Sequence, residues 1–283
     1  MLSGCPKAPV QLAQRGDRAV IVVAAGDISD PTLSGQQLTA TLVEQLHPAA
    51  VLVLGDAQYP RGSLEDFQRN YEPTWGRFKE LTWPVPGNHE YYGSDAAGYF
   101  AYFGARAGDP AKGYYSFDLG EWHLVALNTN HKCEHVACDE DSEQVKWLEA
   151  DLAKTTKKCV LAYWHHPTFN SGKHGPFNSG KPIWKLMQKY QVELVLNGHE
   201  HFYERFTAMD EAGAPSAGGV VQLTVGTGGV AFSEFVSVHP ASLVRRNDTW
   251  GVVRLELGSS GWKSEFIGVP GSSFSDRSGG DCR

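Results

Sequence analysis

Five short segments hold the side chains of this sequence best suited to chemistry: Gly26-Asp27, Gly55-Asp56-Ala57-Gln58-Tyr59, Gly87-Asn88-His89-Glu90, Trp164-His165-His166 and Gly198-His199-Glu200-His201. They offer two aspartates, one phenol, one carboxamide oxygen and three or more imidazoles. Such donors suit hard and borderline metal ions, and there are enough of them for two ions about 3.5–4 Å apart, the arrangement of two-metal hydrolysis. Each motif alone says little. A Gly-Asp after an apolar run is usually a turn, and a single histidine is more often a satisfied structural residue than a ligand.

Position adds weight. The motifs follow apolar, β-branched runs such as residues 19–23, 51–54, 160–163 and 192–196. Side chains placed at the carboxyl ends of strands converge on one crevice, where open α/β sheets bind ligands. Residues 33–46 carry apolar positions at helical spacing between two such runs, a βαβ start that implies a parallel sheet. Residues 66–78, 143–154 and 182–190 are the other predicted helices, with Ser142 as an N-terminal cap and Pro182 in a first turn. Beyond Arg205, short runs at 220–225, 251–257 and 262–266 read as antiparallel strands completing a second sheet. No repeat or linker divides the chain. We expect one domain over residues 1–267 and a Gly/Ser-rich tail over 268–283, loosely ordered unless Cys282 pins it.

Composition narrows the function. A formal charge of −7 over 283 residues leaves no basic stripe for a nucleic-acid backbone, whereas a small phosphate ester is compatible. No window is apolar for the length of a membrane span. The first residues lack the pattern of a signal peptide, so the chain is intracellular or its signal is not part of this sequence. Cysteine usage favours the second option and a secreted or periplasmic location, with cytoplasmic as the alternative. Cys133 and Cys138 lie close in a polar loop, Cys5 and Cys282 lie near opposite termini, and Cys159 sits within an apolar run. Two disulfides and one buried thiol account for all five. Reduced thiols, or a zinc site of His131, His135, Cys133 and Cys138, is the competing arrangement. Asn247-Asp248-Thr249 is a glycosylation triplet that carries little without a eukaryotic secretory route.

The order of the five motifs closely resembles the calcineurin-like metallophosphoesterases, and Tyr59 resembles the purple acid phosphatase branch in its single-domain, bacterial form. The match runs from about Val20 to Arg205. It implies an α/β, four-layer αββα sandwich of two mixed sheets flanked by helices. By the same resemblance Asp27, Asp56, Tyr59 and His201 bind one metal, and Asp56, Asn88, His165 and His199 the other. Asp56 is the natural bridge, since a carboxylate has two oxygens. Most of the wider superfamily resembles Asp-x-His at the first motif, but Ser29 stands two past Asp27, and a Tyr59 phenolate would replace the missing imidazole. Phenolate suits trivalent iron, which implies Fe(III) beside a divalent iron, zinc or manganese. The competing reading makes Tyr59 an ordinary loop aromatic.

The resemblance implies a phosphomonoesterase acting through a metal-bound hydroxide, with Asn88, His89 and His174 against the substrate and His89 or His174 moving a proton. Plant relatives look to have two consecutive histidines where this chain has His174-Gly175, so the leaving-group acid is His174, His89 or a water. A phosphodiesterase with the same metals, and a non-catalytic metal-loaded binding module, are the alternatives. Loops 93–109 and 170–181 would set the substrate. His166 reads as a supporting or surface residue, Glu204-Arg205 as a structural ion pair, and Gly226-Thr227-Gly228-Gly229 as a turn near the site, since it lacks the lysine of a P-loop.

Overall fold

The structure is a computed structural model that describes residues 19–93, 95–130 and 132–283. One sheet has β1 (Val20–Ala25), β2 (Ala50–Leu54) and β3 (Thr82–Val85) in parallel, as the βαβ start implied. It is extended beyond β1 by antiparallel β11 (Gly251–Leu257), β12 (Gly261–Gly268) and β13 (Ser275–Asp281). In the other sheet β5 (Trp122–Ala126), β6 (Cys159–Tyr163), β7 (Leu194–Asn197) and β9 (Val221–Val225) run parallel. Antiparallel β4 (Tyr115–Leu119) closes one side, and β8 (Tyr203–Phe206) with β10 (Ser242–Arg246) the other.

Strand alternation decides which layer each residue joins. Leu124, Ala126, Leu161, Tyr163, Leu194 and Leu196 pack inward with the first sheet, while Val125, Val160, Ala162 and Val195 face the opposite way. That second set meets Val145, Leu148 and Leu152 of α5 (Glu143–Lys154), and Ile183, Trp184 and Met187 of α6 (Lys181–Lys189). A slip of one residue would exchange the two sets and bury neither properly. On the first sheet, α1 (Gly35–Leu46) packs on β11 with Ala40 and Val43 buried. The layers are therefore helix, sheet, sheet, helix, as expected.

Local chemistry explains the helix ends. The Ser142 hydroxyl accepts the Val145 N–H at 3.3 Å, and Pro182 occupies the first turn of α6. The helix expected over 66–78 is broken instead. It becomes one turn, α2 (Leu64–Asp66), a π-type turn over Phe67–Tyr71 and a 3₁₀ segment over Trp75–Leu81. Pro73, without an N–H, stands at the break. Two further helices escaped the sequence reading, α3 (Asn88–Tyr91) and α4 (Ala97–Phe103).

Two other expectations are corrected. Cys133 is bonded to Cys138 as expected, but Cys282 is bonded to Cys159, so Cys159 is not a free thiol. Cys5 lies outside the described residues. The reason is topological: β13 pairs with β12 through the tail and delivers Cys282 to the amino end of β6. Glu204 and Arg205 do not pair with each other either. As neighbours on β8 they point to opposite faces; Glu204 accepts the Ser171 N–H at 3.0 Å, and Arg205 forks onto Asp276 at 2.6 and 3.0 Å.

Candidate metal centre

The carboxyl ends of β1, β2 and β3 in one sheet meet those of β6 and β7 in the other along one rim. Backbone bonds knit them: the Gly26 N–H donates to Val225 O at 2.9 Å, Asp27 N–H to Gly55 O at 3.1 Å and Gly198 N–H to His165 O at 3.0 Å. Immediately past the strands the chain turns through left-handed backbone at Asp27 (φ 59°), Asp56 (φ 48°) and His199 (φ 69°). Such geometry is costly for residues with a Cβ and is characteristic of functional sites. Close packing demands glycine beside two of the site residues. A Cβ on Gly55, itself at φ 86°, would run into the His165 ring, and one on Gly87 into the Asp56 carboxyl group.

These turns bring all seven expected ligands to one place. The Tyr59 hydroxyl lies 2.9 Å from Asp27 Oδ1, 3.1 Å from Asp56 Oδ2 and 3.2 Å from His201 Nε2. On the other side of Asp56, its Oδ2 is 3.2 Å from His165 Nε2, which is 3.1 Å from Asn88 Oδ1. Asp56 thus belongs to both groups. The His199 ring stands 5.0 Å from that of His165, and its backbone N–H donates to Asp27 Oδ2 at 2.8 Å. Carbonyl oxygens fix two imidazoles from behind, Leu54 O at 2.8 Å from His165 Nδ1 and Ala231 O at 2.8 Å from His201 Nδ1, which leaves each Nε2 toward the cluster.

Electrostatics points to a cation. Asp27 and Asp56 are buried, yet no lysine or arginine is in salt-bridge range among the described residues; their side-chain partners are imidazoles and one phenol. Burial alone would raise the Asp56 carboxyl, but His165 and His89 hold it lowered. Burial, then the neighbouring imidazoles, keep His199 well below the ordinary histidine range and hence neutral, with a lone pair to give. Burial, then Asp27 and Asp56, push the Tyr59 phenol well above its usual value, so in the absence of a cation it remains a hydroxyl donor. Donor atoms of Asp27, Asp56 and His165 lie within 4.8 Å of one another, as do those of His165, His166 and His199. The residues present fit a pair of metal ions.

The cluster floors a cleft of about 300 Å³. His89 is held there by its backbone N–H to Asp56 Oδ1 at 2.8 Å and by its Nδ1 to Pro60 O at 2.7 Å. His174 also lines the cleft, with Nδ1 3.3 Å from the buried Glu200 carboxylate. Loop 170–181 thus reaches the cleft. Much of 93–109 instead turns into the core through Tyr99, Phe100, Tyr102 and Phe103.

Some contributors were missed. His166 is no surface residue: it is buried, lines the cleft and stands 4.4 Å ring to ring from His199. Of the two positions the sequence left open, it takes the supporting one, just past the end of β6 at Tyr163. Glu90, inside a motif but given no role, accepts the N–H groups of Asp56 (2.9 Å), Gly87 (2.7 Å) and Gln58 (3.3 Å). Burial, then the Asp56 charge, push its carboxyl up to about 7. Its position three after Gly87, where a helix-capping acid belongs, is the signal that could have found it. Lys132 and Lys173 also line the cleft. The zinc alternative fails on its cysteines, which are bonded to each other, and Gly226–Gly229 does form a turn against Gly26 and Asp27.

A family model described as calcineurin-like phosphoesterase matches residues 10–203. Purple acid phosphatase 15 of Arabidopsis thaliana is 30% identical over 206 residues, which cover 59% of this chain and 38% of the relative. Purple acid phosphatase 23 of the same plant is 29% identical over 232 residues, or 68% of this chain and 49% of the relative. The chain thus spans half or less of these relatives' length. Among solved structures, the purple acid phosphatase PPD1 from yellow lupin (Lupinus luteus) seeds superposes with a TM-score of 0.77 at 20% identity, covering 93% of this chain and 54% of that one. GAP50 of Plasmodium, the anchor in its inner membrane complex, superposes with a TM-score of 0.70 at 13% identity, covering 94% and 90%. These likenesses are of fold.

Proposed function

We propose a function for this chain, which belongs to the calcineurin-like phosphoesterase family: it hydrolyses small phosphate monoesters at a two-metal centre of the purple acid phosphatase type. The observation that carries the reading is the convergence of seven donor side chains, Asp56 among them, from five strand ends on one rim. Asp27, Asp56, Tyr59 and His201 would hold one ion, and Asp56, Asn88, His165 and His199 the other. Bound there, two metal ions supply Lewis acidity to the phosphoryl oxygens and lower the pKa of a water to the neutral or acidic range.

The protein's part is placement. Tyr59 argues for a ferric ion on its side, because its hydroxyl proton is shared with two carboxylates, and a trivalent cation is best able to displace it. The divalent partner would be iron, zinc or manganese. Asn88 and His89, which line the cleft, would meet the phosphoryl group, His89 through its Nε2 side while Pro60 O occupies Nδ1. His174, steadied through Nδ1 by Glu200, would give a proton to the leaving oxygen. No serine is needed as nucleophile. Two disulfides among the described residues fit a secreted or periplasmic protein, and no helix among those residues is long and apolar enough to cross a membrane.

Metal analysis of the purified protein, followed by paired assays on an aryl phosphate monoester and diester, tests the reading. Two metals per chain and faster monoester hydrolysis are expected. A chain with fewer than two metals, or one faster on the diester, would overturn it.

A further inference from the structure

Building on the monoesterase reading, we propose that Lys132 and Lys173 form an anion-binding rim that selects monoesters whose alcohol carries a second negative group. The metal cleft is adjoined by a smaller lobe of about 120 Å³, and the two share Lys132, His166, His174 and His199. With the phosphoryl group beside Asp56, Asn88 and His89, this lobe is the space left for the alcohol. Pro167, Pro176 and Phe177 give it an apolar wall. Apart from Asp56, no carboxylate residue among the described residues lines either space, whereas Lys132 borders both and Lys173 borders the metal cleft, so the charge facing the alcohol is positive.

Exposed lysines are usually solvated surface charges. These two differ in how they are held. Lys132 (φ 53°) lies between Asn130 (φ 27°) and Cys133 (φ 65°), three left-handed residues within four. The buried Asn130 carboxamide fixes that loop, donating to Val136 O and accepting the His135 N–H, each at 3.0 Å. The Cys133–Cys138 bond closes it, and the Thr129 hydroxyl joins its base to His166 Nδ1 at 3.0 Å. Lys173 comes from a different loop, after Gly172, whose N–H is bound by Asn170 Oδ1 at 2.9 Å and where a Cβ would strike Glu200. Among the described residues neither lysine has a carboxylate within salt-bridge distance, so both ammonium groups are available to a ligand.

The test compares two inert analogues, benzylphosphonate and 4-carboxybenzylphosphonate, by calorimetry on the metal-loaded protein. The wild type should bind the carboxylated analogue about fivefold more tightly, as expected for two partly exposed ion pairs. That ratio should shrink at about 0.5 M salt and fall to near one in Lys132→Gln/Lys173→Gln. A wild-type ratio of one, a ratio the double variant leaves intact, or no binding of either analogue would overturn the proposal. Phenyl phosphate and 4-carboxyphenyl phosphate are assayed alongside, where the double substitution should raise KM for the second with little change in kcat. If neither ester is hydrolysed while the binding ratio responds as stated, the monoesterase reading fails and the anion-binding rim stands.

Discussion

Glu90→Ala should destabilise the protein by about 2–4 kcal/mol although the side chain meets neither solvent nor substrate. Its carboxylate is the acceptor for three buried backbone donors, Asp56 N–H, Gly87 N–H and Gln58 N–H, at 2.9, 2.7 and 3.3 Å. Alanine leaves all three without a partner, and at about 2 kcal/mol for each orphaned group the loss is about 6 kcal/mol. Against this, the burial that pushes Glu90 up to about 7 disappears with it, which offsets about 3 kcal/mol at neutral pH. The remainder is a large share of a typical stability of about 5–15 kcal/mol. Urea unfolding at neutral pH measures it as a lower midpoint at unchanged slope. Because the same carboxylate ties the loop of Asp56 to the loop of Asn88, metal content should fall as well. A variant within about 1 kcal/mol of wild type, with both metals retained, would refute the assignment of Glu90 as the strut between the two loops.

Asp56→Asn should release both metals and nearly all activity, whereas His201→Ala should release the ion on the Tyr59 side first; equal loss from both variants, read by metal analysis, would count against a bridging Asp56. Tyr59→Phe should abolish a broad visible band in the iron-loaded protein while circular dichroism stays the same; a colourless wild type that is fully active on zinc alone would remove the ferric assignment. Cys159→Ser should lower stability by about 3–5 kcal/mol, since the bond closes a long loop of 123 residues, and kcat should hold because the bond lies at the amino end of β6, away from the site. His123 meets Asp118 and Asp151 at 2.8 Å each; burial alone would lower it, but the two carboxylates win and raise it above 6.5. A raised histidine stabilises below its ordinary value and loses that contribution as pH climbs through the folded value. The gap between wild type and Asp151→Asn should therefore be widest near pH ~6 and close at alkaline pH, and a gap that widens with pH would refute it.

What the sequence made legible was local. Continuous apolar runs marked the central strands, the cap at Ser142 marked α5, and both kinds of signal act within a few residues. The edges were harder: β13 is Ser-Asp-Arg-Ser-Gly-Gly-Asp, poor in strand formers, and is held by pairing with β12 rather than by its own preference. The Asn88–Tyr91 helix is four residues long, too short for a 3.6-residue period to show. For His166 the sequence left a supporting and a surface position open, and only its burial beside His199 decides for the first. The partner of Cys282 was hidden for a different reason, because spacing cannot say which strand end a distant chain segment will reach.

The centre itself lies between these extremes. Asp27 Oδ2 accepts an N–H from His199, 172 residues away, and no local rule joins those two positions. Each motif alone was compatible with an ordinary turn. What made the group readable was that every motif follows a strand, and parallel strands of one sheet must end on the same side. A residue placed just past such an end is committed to the rim before any contact is known. Supporting residues such as Glu90, Glu200 and Thr129 act through hydrogen bonds that only the assembled rim creates, and for that reason they became visible only in three dimensions.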